Sequence, residues 1–241
     1  MPRLDQLLVG QGAFSSREKA RRAVMAGIVR VNGQIVDKPG TAVSEEALVE
    51  IVGPREPFVS RGGRKLAAAL DHFKIDPTGL VCLDVGSSTG GFTDCLLQRG
   101  ADRVYAVDVG RGQLDYRLRQ DDRVVVMEGI NARHMESDAI PQVCDLVTMD
   151  LSFISVVKVV PSILPFVAEQ GRLLILIKPQ FEVGRGQVGK GGIVRDERQR
   201  LDIIRQRCDD LTFLGLELTG IVDSELAGAK GNVEAFAVLR R

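Results

Sequence analysis

Two lysines and two carboxylates stand where a charge is hard to explain as a solvated face. Asp150 ends the apolar run Leu146-Val147-Thr148-Met149, and Lys178 ends Leu173-Leu174-Ile175-Leu176-Ile177. Glu234 opens the last apolar stretch, and Lys65 starts the segment Leu66-Ala67-Ala68-Ala69-Leu70. A charge at the mouth of a buried strand faces the loops where alternating folds build their sites. These residue types suit proton transfer. A lysine acts as a base when burial or a second ammonium lowers its hold on the proton, whereas a nearby carboxylate orients it and opposes that shift. A metal centre is not expected. Cys82, Cys95, Cys144 and Cys208 are scattered without a C-x-x-C pair, and only His72 and His134 could help them. They read as reduced core cysteines of a cytoplasmic protein.

The elements that must position these four residues alternate. Strands are predicted near 80–85, 103–108, 123–127, 144–149, 172–177, 213–222 and 233–239, and helices near 92–99, 113–119, 155–168 and 196–211. Continuous apolar strands alternating with helices imply an α/β fold, a mostly parallel sheet wrapped by helices. The connection between the last two strands is short, so the final strand is expected to be antiparallel. The first strand runs into Asp84-Val85-Gly86-Ser87-Ser88-Thr89-Gly90-Gly91-Phe92, a glycine-rich turn leading to a helix. Ser88 stands where the dinucleotide fingerprint G-x-G-x-x-G needs its second glycine, which disfavours a pyrophosphate cradle. A second acid, Asp108, ends the next strand.

The first 52 residues read as a separate α+β module. Leu4, Leu7 and Leu8 form one helical stripe. Ser15 or Ser16 caps a second helix with Ala20, Ala23 and Val24 on its apolar side. Ile28–Val36 reads as two strands around an Asn32-Gly33 turn. Net charge over the whole chain is zero, yet residues 1–38 hold seven Lys/Arg against three acids, 7 − 3 = +4, and residues 39–59 hold one Arg against four Glu, 1 − 4 = −3. A local basic cluster on a neutral chain predicts a defined anionic contact surface. Residues 53–59, with Pro54 and Pro57, read as a linker, and 60–241 as the second domain.

The module resembles the S4 RNA-binding domain through Arg3-Leu4-Asp5, Ser15-Ser16-Arg17 with Ala20, Ile28-Val29, and Val31-Asn32-Gly33 with Val36. The resemblance implies that Arg3, Arg17, Lys19, Arg21, Arg22 and Arg30 contact RNA phosphates, with Arg61 and Arg64 beyond the linker. The D-x-G-x-x-x-G-G-F turn resembles motif I of Rossmann-like S-adenosylmethionine methyltransferases, whose seven-stranded sheet fits the strand count. Asp84, Gly86, Ser87, Thr89, Gly90, Gly91 and Phe92 would then shape the cofactor site. Asp108 would meet its ribose and Asn131 its adenine, Val109 would also border the cofactor, and Asp150 would lie near the transferred methyl. The set Lys65, Asp150, Lys178 and Glu234 resembles the K-D-K-E tetrad of FtsJ-like ribose 2′-O-methyltransferases. Together with the S4-like module, the chain resembles the TlyA (haemolysin A) family. Supporting stretches are Asp150-Leu151-Ser152-Phe153-Ile154-Ser155, Lys178-Pro179-Gln180-Phe181-Glu182 and Gly231-Asn232-Val233-Glu234. Glu225-Leu226 departs from the Pro-Ile expected there. The family implies cytidines of ribosomal RNA as targets, on free RNA or ribosomal subunits, with Lys178 as general base and Asp150 positioning it.

Three other function classes are disfavoured. Methylation of a base usually uses a cysteine or an Asn/Asp-Pro-Pro-aromatic motif at strand four, where this chain has Asp150-Leu151-Ser152-Phe153. A pore-forming role lacks its signals: the amino terminus is too charged for a signal peptide, and no apolar run approaches a membrane span. A catalytically dead RNA-binding factor is at odds with the intact tetrad and glycine turn. A monomer is expected. Residues 180–195, rich in glycine, read as a mobile loop over the site, and the linker near Arg55–Val59 as a coupling element between S4 docking and cofactor binding.

Overall fold

The computed structural model describes residues 1–14, 16–52, 57–183, 192–228 and 231–241. Ser15, most of the predicted linker and the middle of the glycine-rich loop lie outside the described residues. Two compact units divide the chain, Met1–Glu56 and Pro57–Arg241.

The smaller unit begins with helices α1 (Leu4–Gly10) and α2 (Arg17–Met25). Ser16 caps α2, its hydroxyl accepting the Lys19 N–H at 3.3 Å. Strands β1 (Val29–Val31), β2 (Gln34–Ile35) and β3 (Val49–Ile51) form an antiparallel sheet in the order β2-β1-β3. The β1–β2 turn places Asn32 at φ 50° and Gly33 at φ 80°, the pair of positive angles that a tight hairpin demands. Strand β3 goes beyond the sequence expectation, because three residues are too few to display an alternation. Leu4, Leu8, Ala20, Val24 and Val29 form the core of this unit.

The larger unit starts with α3 (Gly62–Phe73), β4 (Val81–Val85), α4 (Gly91–Gln98), β5 (Arg103–Asp108), α5 (Tyr116–Arg119), β6 (Val124–Glu128) and β7 (Cys144–Met149). There follow α6 (Val160–Ile163), β8 (Val167–Ile177), α7 (Pro179–Glu182), α8 (Glu197–Thr212), β9 (Glu217–Asp223) and β10 (Ala235–Arg240). The seven strands are ordered β6-β5-β4-β7-β8-β10-β9. All pairings from β6 to β8 are parallel, and β10 runs antiparallel to both of its neighbours. Side chains alternate across β8: Leu173, Ile175 and Ile177 enter one core, Leu174 and Leu176 the other.

One predicted helix is corrected. Residues 155–168 form not a continuous helix but two short 3-10 turns flanking α6. Pro165 lacks the N–H that a continuing helix needs, and β8 begins already at Val167. Strand order reverses at the β4–β7 pair, where Val85 lies opposite Met149. Open α/β sheets bind ligands at this switch point, beyond the carboxyl ends of the strands. Gly86 and Asp150 are the residues found there.

Candidate active site

Each of the four charged residues is delivered by a different element. Lys65 lies in the first turns of α3, Asp150 follows β7, Lys178 follows β8 as the residue before α7, and Glu234 precedes β10. The Lys65 ammonium donates to the Glu234 carboxylate at 2.6 Å, with side chains 6% and 2% exposed. Lys178 Nζ lies 2.5 Å from Asp150 Oδ1 and 3.2 Å from Ser152 Oγ. Gln180, two residues past Lys178, donates its amide to the second Glu234 oxygen at 3.2 Å. All four charged residues line one cleft of about 360 Å³. The expected tetrad is therefore gathered, as two ion pairs linked through the turn that carries Lys178.

That cleft adjoins a second lobe of about 400 Å³, and Gly86, Ser88, Asp150, Ser152 and Phe153 border both. Gly86 sits at φ 86°, and a Cβ there would meet the Asp150 carbonyl at 2.6 Å, so only glycine lets the turn pack on the Asp150 backbone. Gly91 is equally constrained, because a Cβ would meet the Ser60 hydroxyl and the Gly63 nitrogen where α3 and α4 begin. Ser87, Thr89 and Phe92 also line the first lobe, and Gly90 turns the chain at φ 93°. In the second lobe, Asp108 accepts the N–H groups of Ser88 at 2.8 Å and Gly110 at 2.7 Å. The exposed Val109 and the turn residue Asn131 line the same lobe. Asn131 also accepts the Arg133 N–H at 3.1 Å.

Asp84 is placed otherwise than the sequence suggested. It is fully buried and lines neither lobe. Its two oxygens accept the hydroxyls of Thr93 at 2.7 Å and Thr148 at 3.1 Å. Burial pushes its carboxyl up to about 7, against the downward pull of both threonines. It braces the glycine turn from behind, between α4 and β7.

Sequence reasoning assigned no role to Ser152, Phe153, Gln180, Phe181 or Glu128. Phe153 is 90% exposed at φ 66°, a backbone angle that aromatic residues rarely adopt, and its ring lies 4.9 Å from that of Phe181. Glu128 ends β6 and gathers the N–H groups of Gly112, Gln113 and Leu114 together with Arg119. Arg119 and these amides hold its carboxyl down at about 2. It fixes the loop that follows Asp108 and Val109. The signal for Phe153 was present: an aromatic residue shortly after a strand-end acid, in a loop.

In the smaller unit, Arg3 and Arg17 converge on buried Asp5. Arg3 donates to it at 3.0 and 3.2 Å and Arg17 at 2.9 Å, while each arginine stays about half exposed. The arginines, Arg3 foremost, hold the Asp5 carboxyl down at about 2. Arg21 and Arg30 are exposed, Lys19 is partly so, and Arg22 pairs with Glu18 one turn away. Arg61 and Arg64 are exposed in the larger unit, Arg61 on the rim of the first lobe. Among the described residues no helix is long and apolar enough to cross a membrane.

The chain matches the S4 domain family over residues 2–49 and the FtsJ-like methyltransferase family over residues 58–241. It is 46% identical over 239 residues to a 16S/23S rRNA (cytidine-2′-O)-methyltransferase TlyA of Mycobacterium tuberculosis, covering 99% of this chain and 89% of the relative. It is 42% identical to Hemolysin A of Brachyspira hyodysenteriae, with 98% of both chains covered. A solved structure from Streptococcus thermophilus that carries the hemolysin name superposes with a TM-score of 0.78 at 40% identity, covering 99% of this chain and 88% of that one. An S4 unit followed by a switch-point glycine turn and a Lys-Asp-Lys-Glu cleft is thus matched along nearly its whole length, and the chain belongs to the TlyA family of S4-containing, FtsJ-like, S-adenosylmethionine-dependent methyltransferases.

Proposed function

We propose that this chain methylates the ribose 2′-hydroxyl of cytidine in ribosomal RNA, in the small subunit, the large subunit or both. The observation that carries the reading is the pair of ion pairs, Lys65–Glu234 and Lys178–Asp150, in one cleft beside the glycine turn. The activity in the name of the Mycobacterium tuberculosis relative supports it. The residues of the second lobe fit S-adenosylmethionine. Asp108 would offer a carboxylate to two ribose hydroxyls, Val109 and Ile130 an apolar slot for adenine, Asn131 a polar edge, and Asp150 a negative charge suited to the sulfonium. When bound, that cofactor supplies an electrophilic methyl group.

Once its ammonium has released a proton to solvent, Lys178 Nζ takes the proton of the 2′-hydroxyl, and Asp150 and Ser152 fix the direction of that nitrogen. Lys65, held by Glu234, grips the ribose and steadies the charge network. Fixing the hydroxyl in line with the methyl and its leaving sulfur contributes much of the acceleration. The exposed ring of Phe153 offers a face for an unstacked base. Arg3, Arg17, Lys19, Arg21, Arg22 and Arg30, with Arg61 and Arg64, supply phosphate contacts. This reading has the enzyme acting in the cytoplasm as a monomer on ribosomal RNA or subunits. The deciding experiment gives labelled cofactor and each ribosomal subunit, or its naked RNA, to the enzyme and digests the product to nucleosides. Labelled 2′-O-methylcytidine is expected, and label on a base would overturn the reading.

A further inference from the structure

The single turn of α7 touches the site at four points. Lys178, just before it, meets Asp150. Gln180 donates to Glu234, Phe181 packs on Phe153, and Glu182 accepts the Val156 N–H at 2.9 Å. The first three contacts lie in the cleft. Glu182 does not line it, and its side chain is 1% exposed. The Ser155 hydroxyl also pulls on this carboxylate, whose second oxygen lies 4.0 Å from Arg207 Nε, a buried atom with no hydrogen-bond partner among the described residues. Arg207 turns its Nη1 to Asp210 at 3.0 Å instead. A buried carboxylate is costly, and this one is not compensated by a close ion pair.

What Glu182 holds is the far end of the loop that leaves Asp150. That loop contains Ser152, which accepts from Lys178, and Phe153, strained at φ 66°. A backbone in that region persists only where its surroundings over-determine it. The Glu182–Val156 hydrogen bond lies three residues past the strained position and ties the Asp150 loop to the turn after Lys178. We infer that Glu182 is a positioning residue for methyl transfer: by fixing the Val156 N–H it keeps Ser152, Phe153 and Asp150 in register with Lys178. The inference rests on the methylation reading above for its kinetic consequence, but not for its structural one.

Three single substitutions and one double variant test it. Glu182→Leu removes the acceptor and Glu182→Gln keeps it. Val156→Pro removes the donor at the first position of its turn, where proline is tolerated; Ser155, at ψ 138°, already has the backbone that precedes proline. Glu182→Leu is expected to lower kcat at least tenfold, with KM for S-adenosylmethionine within twofold and with faster amide exchange across residues 150–156. Glu182→Gln should restore kcat to within threefold of the parent. Val156→Pro should impair kcat as much as Glu182→Leu, and the double variant no more than either alone. Unchanged kcat in Glu182→Leu, equal losses in the Leu and Gln variants, or multiplying losses in the double variant would overturn the inference. If the parent enzyme transfers no methyl group, the proposed function fails, and amide exchange across 150–156 still decides whether Glu182 holds the loop.

Discussion

Lys65 and Glu234 are so deeply buried that neither is tolerable without the other. Glu234→Leu strands an ammonium and should cost roughly 3–5 kcal/mol of stability. Adding Lys65→Met should recover much of that stability and none of the activity, a contrast read by chemical denaturation beside a methylation assay. Lys178→Ala should lower kcat roughly 10²–10⁴-fold while S-adenosylmethionine still binds, which calorimetry checks. Near-normal turnover would remove Lys178 as the base. Asp84 has a distinct signature. Its carboxyl stays protonated in the folded chain up to about 7 but ionises near 3.8 when unfolded. The unfolded state therefore binds fewer protons across that window, and this group's contribution to stability is lost as pH rises from about 4 to about 7, by at most about 1.4 kcal/mol per pH unit. Asp84→Asn should flatten the slope by one proton, measured as denaturation midpoints at pH 5 and pH 8. The tetrad was legible because a charge ending an apolar strand is conspicuous. The bracing role of Asp84 was not, because Thr93 and Thr148 reach it only through the packing of α4 and β7.

At the scale of elements, the site depends on close backbone approach. Gly86→Ala would place a methyl group 2.6 Å from the Asp150 carbonyl at a positive φ. We expect a loss of at least about 1 kcal/mol of stability and a cofactor affinity reduced severalfold, checked by thermal melting and calorimetry. Alternation of apolar runs and turns made all seven strands of the larger unit legible to within a residue at their carboxyl ends, where the chemistry is. Their amino ends were less so. The start of β8 at Val167 is polar at Glu169 and Gln170, and its pairing with Cys144 was invisible to periodicity. Turn α7 was equally hidden, because four residues after a strand carry no period. Its importance comes from what its side chains reach.

At the scale of the whole molecule the chain divides into two units. Each unit has its own core, and the cations of the smaller one differ in what anchors them. Arg21 and Arg30 are exposed, so Arg21→Gln with Arg30→Gln should weaken RNA binding. The slope of log affinity against log salt should fall by about 0.7–0.9 for each phosphate left unneutralised, with kcat at saturating RNA unchanged. Filter binding at several salt concentrations measures this, and an unaltered slope would exclude these two from the interface. Arg17→Ala should instead also cost stability, because Asp5 is deprived of a partner inside the core. The net charge of zero concealed this arrangement; the local count over residues 1–38 revealed the cluster but not the carboxylate beneath it.

The antiparallel insertion of β10 between β8 and β9 has a consequence in time. Lys65 and the partner that neutralises it are 169 residues apart in sequence. During synthesis the lysine, the glycine turn, Asp150 and Lys178 all leave the ribosome before Glu234 does, and the slot that β10 fills stays open until then. Contacts across so long a loop form late. Completing the cleft around Lys65 and Glu234 therefore requires β10 to take its place between β8 and β9.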